Sequence, residues 1–179
     1  NKKLTEYRKE DVGFVFQFYN LIPDLTVEEN IQVVSDISEN PLNIDEVLEA
    51  MGMEKYRYRF PRELSGGQQQ RVSVARAIIV QPSILLADEP TGNLDEENAS
   101  RLMELFVQMN KTFGTTIILA THSKKIMETY KYPVITVENH HISFSGTQPT
   151  PDTKHTSKSP KGQNYFTELS KQFDDIGNA

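Results

Sequence analysis

The sequence of 179 residues contains no cysteine, and it has no cluster of lysine and arginine. Disulfide bonds, thiolate metal ligands and cysteine nucleophiles are therefore excluded together. No apolar run approaches the roughly 18 residues that a membrane-spanning helix needs, so no direct membrane span is expected. The formal net charge of −6 argues against a nucleic-acid partner bound through bulk charge.

The first residues, NKKLTEYRKE, contain neither an initiating methionine nor the apolar segment of a secretion signal. We therefore expect a chain cut from a longer protein rather than a secreted one. From residue 146 onward the composition changes to threonine, serine, proline, lysine and glycine, with only a weak helical pattern in YFTELSKQF. This composition predicts a mobile polar tail over residues 146–179.

Helix and strand patterns alternate over the rest of the sequence. Three segments predict strands, and the last two are apolar runs typical of strands buried on both faces: VGFVFQ (12–17), SILLAD (83–88) and TTIILATH (115–122). Capping signals predict helix starts at Thr26, Asn43, Ser65, Asp95 and Ser123. The segment YPVITVENHHISF predicts two strands around a turn. This alternation indicates an α/β fold with a largely parallel sheet.

Two carboxylates and a histidine are expected at one edge of this sheet. Asp88 ends one predicted strand, Glu89 follows it, and His122 ends the next strand. Open α/β sheets bind ligands at the carboxyl ends of their strands, where Asp88 can hold the Mg²⁺ of a nucleoside triphosphate and Glu89 can act on a water. Gln17 ends the first strand, and its amide can meet both water and Mg²⁺. The alternative interpretation is a strand end with two solvated acids.

The segment LSGGQ (64–68) predicts a helix start with unusual chemistry. Ser65 and Gln68 stand at capping-box spacing, and Gly66 and Gly67 leave the first turn without side chains. Backbone N–H groups and the positive end of the helix dipole are then open to an anion such as phosphate. An ordinary capping box with a flexible lead-in is the alternative interpretation.

In their order along the chain, these segments resemble the motifs of the ATP-binding cassette (ABC) ATPases. LSGGQ (64–68) is similar to the signature motif, ILLADE (84–89) to the Walker B strand and catalytic glutamate, and GNLD (92–95) to the D-loop. His122 is similar to the switch histidine and Gln17 to the Q-loop glutamine. The resemblance covers residues 12–145. EPTGNLD and FQFYNLIPDLTVEENI look most like the subgroup that serves lipoprotein release, macrolide export and antimicrobial-peptide export.

The resemblance implies a P-loop NTPase-like ABC ATPase fold with an incomplete parallel-sheet core and a helical signature subdomain. The implied segments are a partial core with the Q-loop (1–25), a helical subdomain (26–64), a core with the other motifs (65–145) and the polar tail (146–179). The implied cofactors are ATP and Mg²⁺. The resemblance implies that Glu89 and His122 are catalytic and that Asp88 and Gln17 bind the metal. The residues implied to contact the nucleotide are Gln17, Ser65, Gly66, Gly67, Gln68 and Asp95.

The resemblance also implies partners. ABC ATPases work as head-to-tail dimers in which ATP lies between the P-loop of one subunit and the signature helix of the other. A membrane permease would be the second partner, contacted by the helical subdomain. We therefore expect a cytoplasmic protein, held at the inner face of the cell membrane through the permease, that couples ATP hydrolysis to export or release of a substrate.

The sequence departs from this family where the phosphates would be held. None of its nine glycines belongs to a G-x-x-x-x-G-K-S/T motif, whose amides and lysine cradle the phosphates. We therefore expect no measurable ATPase activity and no tight binding of Mg²⁺–ATP by this chain alone. Two alternatives stay open: a noncatalytic fragment that acts as a binding module, and an ABC ATPase of DNA repair or translation. The latter predicts long coiled-coil heptads or a second cassette, and the sequence has neither.

Overall fold

The computed structural model of the protein describes residues 11–146. The predicted mobile tail, apart from Gly146, lies outside the described residues. These residues belong to two compact units, one covering 11–120 and the other 121–146. The finer division at residues 25 and 64 stays a prediction.

The first unit alternates strands and helices, as predicted. Its elements are β1 (Val12–Phe16), α1 (Val27–Ser35), α2 (Ile44–Ala50), two 3₁₀ turns (Glu54–Tyr56 and Pro61–Glu63), α3 (Gly66–Ile78), β2 (Ile84–Asp88), α4 (Glu96–Phe113) and β3 (Thr116–Ala120). The three strands form one parallel sheet in the order β1-β2-β3. The prediction of a parallel α/β sheet is therefore confirmed.

The two faces of this sheet differ in burial. Val15 and Leu85 are fully buried on the face to which α3 contributes, whereas Phe14 is 41% exposed and Ile118 is 56% exposed on the other face. Leu86 of β2 is only half-buried on that face and no residue of β3 is fully buried, so the prediction that β2 and β3 are buried on both faces is wrong. A continuous apolar run indicates which side chains favour burial. Whether they are buried depends on other segments that pack against the sheet, and the run itself does not reveal those segments.

Capping side chains set the helix starts, with one difference from prediction. Thr26 and Glu29 form a reciprocal capping box at the start of α1. At α2 the Asn43 side chain accepts a hydrogen bond from the Asp45 N–H at 2.8 Å, and the predicted box between Asn43 and Glu46 does not form. The short Asn43 side chain satisfies an earlier N–H of the first turn, and that contact is sufficient to cap the helix.

A buried asparagine organises the loop before α1. Asn30 is 1% exposed, and its amide group donates to the carbonyls of Ile22, Leu25 and Thr26 at 2.9–3.1 Å. Its side-chain oxygen accepts from the Ile22 N–H at 2.8 Å. These bonds satisfy a polar group that would otherwise be costly to bury, and they fix the path of the chain from Ile22 to Thr26.

The apolar stripe predicted on α4 is largely confirmed. Four of the five predicted positions are buried, together with one that was not predicted: Leu102, Met103, Phe106 and Met109, and in addition Leu105. Ala99 is only half-buried. The helix ends at Gly114, whose φ of 68° is the left-handed conformation that glycine adopts without strain.

The second unit contains α5 (Lys124–Thr129), β4 (Val134–Glu138) and β5 (His141–Ser145). The two strands pair antiparallel around Asn139 and His140, which both have positive φ, as a two-residue hairpin turn requires. The predicted pair of strands is confirmed. Within residues 11–146, no helix combines the length and the apolar character required to cross a membrane.

Candidate functional site at the carboxyl edge of the parallel sheet

The structure brings the predicted Q-loop glutamine into contact with the predicted D-loop. Gln17 directly follows β1, and its side-chain nitrogen lies 2.7 Å from where a Cβ on Gly92 would stand. Only a residue without a side chain fits at that position while Gln17 keeps this rotamer. The Asn93 side chain donates to the Gln17 carbonyl at 2.9 Å, so both backbone and side chain of Gln17 are held by neighbouring residues of one loop.

The two predicted acidic residues lie at the end of the central strand. Asp88 is exposed and is paired in register with Phe16 on one side and Ala120 on the other. Glu89 leaves the strand with a φ of 42°, an uncommon conformation for a residue with a side chain. Its N–H donates to the Ala120 carbonyl at 2.9 Å and its carbonyl accepts from the Gly92 N–H at 3.0 Å. This turn redirects the chain at the position where ligands bind to open α/β sheets.

The predicted capping box of LSGGQ is present at the start of α3. The Ser65 N–H donates to the Gln68 side chain at 2.8 Å, and the Gln68 N–H donates to the Ser65 hydroxyl at 3.3 Å. The expectation that the glycines leave this turn open is met only in part, because both are half-buried. A Cβ on Gly66 would lie 2.9 Å from the Tyr19 hydroxyl, and one on Gly67 would lie 3.0 Å from the side chain of Asn98.

Asp95 acts as the cap of α4. Its two carboxylate oxygens accept from the backbone N–H and the side-chain amide of Asn98, each at 2.8 Å. The backbone hydrogen bond from Asn98, followed by the side-chain one, lowers the pKa of Asp95. Since the same Asn98 lies against Gly67, Asp95 orients a side chain beside the signature helix. Its predicted contact with nucleotide stays a prediction.

His122 follows β3 by two residues and belongs to the second unit. Ser123 caps α5 by accepting from the Ile126 N–H, as expected for the residue after the histidine. The predicted position of His122 beside Asp88 stays a prediction.

Three residues of this region were not found from the sequence. Tyr19 stands against Gly66, Asn93 holds the backbone of Gln17, and Arg76 donates to two carbonyls just after Gln17. The only signal for Arg76 was a charged residue inside the apolar run SVARAII. Tyr19 and Asn93 contact residues that are distant in sequence, so no local sequence pattern indicates these contacts.

The side chains at the strand ends fit a magnesium ion that arrives with a triphosphate. Mg²⁺ takes oxygen ligands and usually binds proteins through one or two side chains, with phosphates and waters supplying the rest. Asp88 and the side-chain amide of Gln17 offer oxygen atoms of this kind at adjacent strand ends, and their binding of the metal stays a prediction. Throughout the part of the chain that the structure describes, no group of three or more His, Cys, Asp or Glu residues suits a resident metal.

The parallel α/β sheet and its strand-end residues agree with the P-loop NTPase-like class that the sequence predicts. The family model described as ABC transporter matches residues 1–92, just over half of the sequence, and the chain belongs to this family. The resemblance inferred from the motifs is thereby confirmed.

Similar solved structures support the fold. The ATP-binding cassette MJ0796, a dimer in a post-hydrolysis state bound to ADP and Pi, aligns with a TM-score of 0.71 and 30% identity over 84% of this chain and 68% of that chain. The cbiO1 protein of Clostridium perfringens, part of the ABC transporter complex cbiONQ, aligns with a TM-score of 0.69 and 29% identity over 80% of this chain and 59% of that chain.

Curated relatives are longer than the matched part of the chain. The cell division ATP-binding protein FtsE of Streptococcus pneumoniae is 46% identical over 143 residues, which are 77% of this chain and 62% of FtsE. The lipoprotein-releasing system ATP-binding protein LolD of Bacteroides fragilis is 41% identical over 130 residues, which are 70% of this chain and 60% of LolD. The chain thus spans less than two thirds of either relative.

Proposed function

We propose that the chain is part of the ATP-binding subunit of an ABC transporter, in which ATP hydrolysis drives export or release of a substrate through a membrane permease. The observation that carries the proposal is the strand-end cluster, in which the Gln17 amide packs against Gly92 while Asp88 ends the adjacent strand and Glu89 follows it. Similarity to LolD, a lipoprotein-releasing ATP-binding protein, supports the export and release subgroup.

Each residue of the cluster has a distinct proposed task. Asp88 and the Gln17 amide oxygen hold the metal, and Glu89 accepts a proton from the attacking water, a role that suits a carboxylate next to the metal ligand. Bound Mg²⁺–ATP supplies the phosphoryl group that is transferred to water. Separately from this cluster, the resemblance of His122 to the switch histidine supports a proposed role as a hydrogen-bond donor to the terminal phosphate.

The signature helix has a different task, because it serves the nucleotide of a second subunit. Ser65 fixes the helix start, so that the Gly66 and Gly67 amides can face a phosphate bound on the P-loop of that subunit. A helix N-terminus contributes about 0.3–1 kcal/mol at an exposed site and up to about 2 kcal/mol when partly buried. That supports only millimolar or weaker binding, so this chain needs a subunit with a P-loop to form a complete site.

Exposed apolar side chains support a permease partner. Phe18 is 75% exposed, Ile37 is 55% exposed and Tyr58 is 74% exposed. These side chains follow the Q-loop glutamine or lie within the predicted helical subdomain, the segment proposed to contact the permease. A protein bound in this way is cytoplasmic and peripheral at the inner face of the membrane.

The decisive experiment joins the chain to the P-loop segment of a relative such as FtsE. We expect the joined protein to hydrolyse Mg²⁺–ATP, and Glu89→Gln to lower the rate at least about a hundredfold without weakening ATP binding, because the variant loses only the proton acceptor. Glu104→Gln is the matched control, since Glu104 is an exposed glutamate on α4.

Two outcomes would contradict the proposal. Hydrolysis by Glu89→Gln at the rate of the Glu104→Gln control would remove Glu89 from catalysis. A joined protein that folds and binds ATP but does not hydrolyse it would favour the noncatalytic binding module instead.

Calorimetry on the chain alone tests whether the signature helix can bind Mg²⁺–ATP without a P-loop. We expect no measurable ATPase activity and no tight binding of Mg²⁺–ATP, because a helix N-terminus alone supports only weak binding. A micromolar dissociation constant would show that the chain contains a phosphate cradle of a different design.

A further inference from the structure

The chain makes a strained turn directly after the candidate metal ligand Gln17. Tyr19 has a φ of 61° and Asn20 a φ of 49°, so two successive residues with side chains adopt the left-handed conformation. Asparagine tolerates this conformation, but a tyrosine rarely adopts it unless the surrounding structure holds it there. Hydrogen bonds within the turn, from the Tyr19 N–H to the Phe16 carbonyl at 3.2 Å and from the Asn20 N–H to the Phe18 carbonyl at 2.6 Å, are short-range.

One side chain from α3 binds the carbonyls of both residues in this turn. The Arg76 guanidinium donates to the Tyr19 carbonyl at 3.0 Å and to the Asn20 carbonyl at 2.6 Å. Arg76 is half-buried, and burial lowers its pKa, yet a guanidinium remains charged at neutral pH. Charged, planar donors make stronger and more directional hydrogen bonds than neutral ones.

The same turn is held at two further points. The Tyr19 hydroxyl stands against Gly66 at the start of α3, and the Asn93 side chain holds the Gln17 carbonyl at 2.9 Å. Residues 17–20 are therefore hydrogen-bonded to Arg76 near the end of the signature helix and to Asn93 of the D-loop, and Tyr19 also lies close to the start of that helix. A substitution of Arg76 removes hydrogen bonds to Tyr19 and Asn20 but leaves Gln17, Asp88 and Glu89 unaltered.

We propose that Arg76 is a positioning residue, which holds the left-handed turn at Tyr19 and Asn20 and thereby keeps the Gln17 amide against Gly92. Its relevance to ATP rests on the function proposed above, but the clamp itself does not. While Arg76 binds both carbonyls, the turn at Tyr19 and Asn20 keeps its conformation. A movement of the signature helix is then transmitted to Gln17.

The test compares Arg76→Met with Arg71→Met in the full chain by NMR. Arg71 is the matched control: it lies on the same helix, is also half-buried, and donates to the Met51 carbonyl at 3.5 Å, outside the turn. In Arg76→Met we expect the Tyr19 and Asn20 amides to exchange with water at least about tenfold faster, the change expected for losing hydrogen bonds from a charged donor. The Gln17 side-chain amide signals should shift, whereas Arg71→Met should leave all these signals unchanged.

The Ile22 amide provides an internal reference, because it donates to the Asn30 side chain at 2.8 Å and not to the turn. A loss of packing alone would speed exchange at Ile22 as much as at Tyr19 and Asn20, and that result would overturn the proposal. Unchanged exchange and unchanged Gln17 signals in Arg76→Met would also overturn it. Since ATP hydrolysis is not measured, this result is independent of whether the proposed function holds.

Arg76→Lys keeps the test decisive if the methionine variant does not fold. Lysine retains the charge but replaces the planar fork with a single ammonium group, so it cannot reproduce the pair of guanidinium bonds. We expect a smaller but measurable rise in exchange at Tyr19 and Asn20. Exchange equal to that of the unmodified chain would overturn the proposal.

Discussion

The two faces of the parallel sheet carry similar apolar side chains but differ in burial. On the face to which α3 contributes, Val15 and Leu85 are fully buried, whereas on the other face Phe14 is 41% exposed and Ile118 is 56% exposed. The register places Phe14, Leu86 and Ile118 in one row across the three strands. Exposed apolar rows of this kind are typical of surfaces that contact other protein segments. The difference shows that the apolar character of a side chain sets its preference for burial, whereas the segments packed against the sheet decide whether it is buried.

Truncation of one residue on each face gives the largest expected contrast. Leu85→Ala should lower the free energy of unfolding by about 2–5 kcal/mol, because it removes contacts and leaves a cavity. Ile118→Ala should cost about 1 kcal/mol or less, because over half of that side chain is already in solvent. Urea unfolding followed by circular dichroism measures both values. Equal losses would mean that the exposed face is covered in solution, which a dependence on protein concentration would confirm.

Removal of the cap on α3 tests how far the buried face depends on its helix. Ser65→Ala removes the hydroxyl that accepts from the Gln68 N–H, and should lower the free energy of unfolding by about 1 kcal/mol. Ser65→Thr retains the hydroxyl and is expected to lose less. Urea unfolding compares the three proteins, and an alanine variant as stable as the serine form would show that the capping box contributes nothing.

The smallest effect concerns pH and the cap of α4, the helix that packs against β3. The hydrogen bonds from Asn98 lower the pKa of Asp95, so the ionised form stabilises the fold above the unfolded pKa of about 3.9. This contribution is lost as pH falls through the lower folded pKa. Asp95→Asn keeps a capping side chain that cannot titrate. We therefore expect its stability to fall less steeply below about pH 4 than that of the unmodified chain.

Urea midpoints measured at neutral and acid pH check this prediction. Glu104→Gln is the control for the loss of one acidic group from α4. Glu29 and Glu63 also have lowered pKa values, so part of the acid sensitivity should persist in Asp95→Asn. An acid sensitivity identical to that of the unmodified chain would contradict the assignment.

Features set by neighbouring residues were predictable from the sequence. The boxes at Thr26 and Ser65 and the cap at Asp95 follow from side chains that reach an N–H three residues ahead. The parallel sheet follows from the alternation of elements. The box predicted at Asn43 failed because two acceptable caps exist within one turn, and spacing alone does not choose between them.

Contacts between distant segments were not predictable in the same way. Arg76 and Asn20 are 56 residues apart, and Asn93 and Gln17 are 76 residues apart. Motif order suggested that Gln17 and the D-loop share a site, but not that the Gln17 amide packs against Gly92. The roles of Glu89 and His122 in catalysis stay predictions.

The pairing of β1 with β2 also has a consequence for synthesis of the protein. Asp11 and Ser83, which meet where these strands begin, are 72 residues apart in the chain. At typical translation rates of about 5–20 residues per second, the segment VGFVF emerges from the ribosome roughly 4 to 14 seconds before its partner strand. During that interval β1 cannot yet pair with β2, the strand beside it in the folded sheet. Slower synthesis between residues 17 and 83 lengthens this interval in direct proportion.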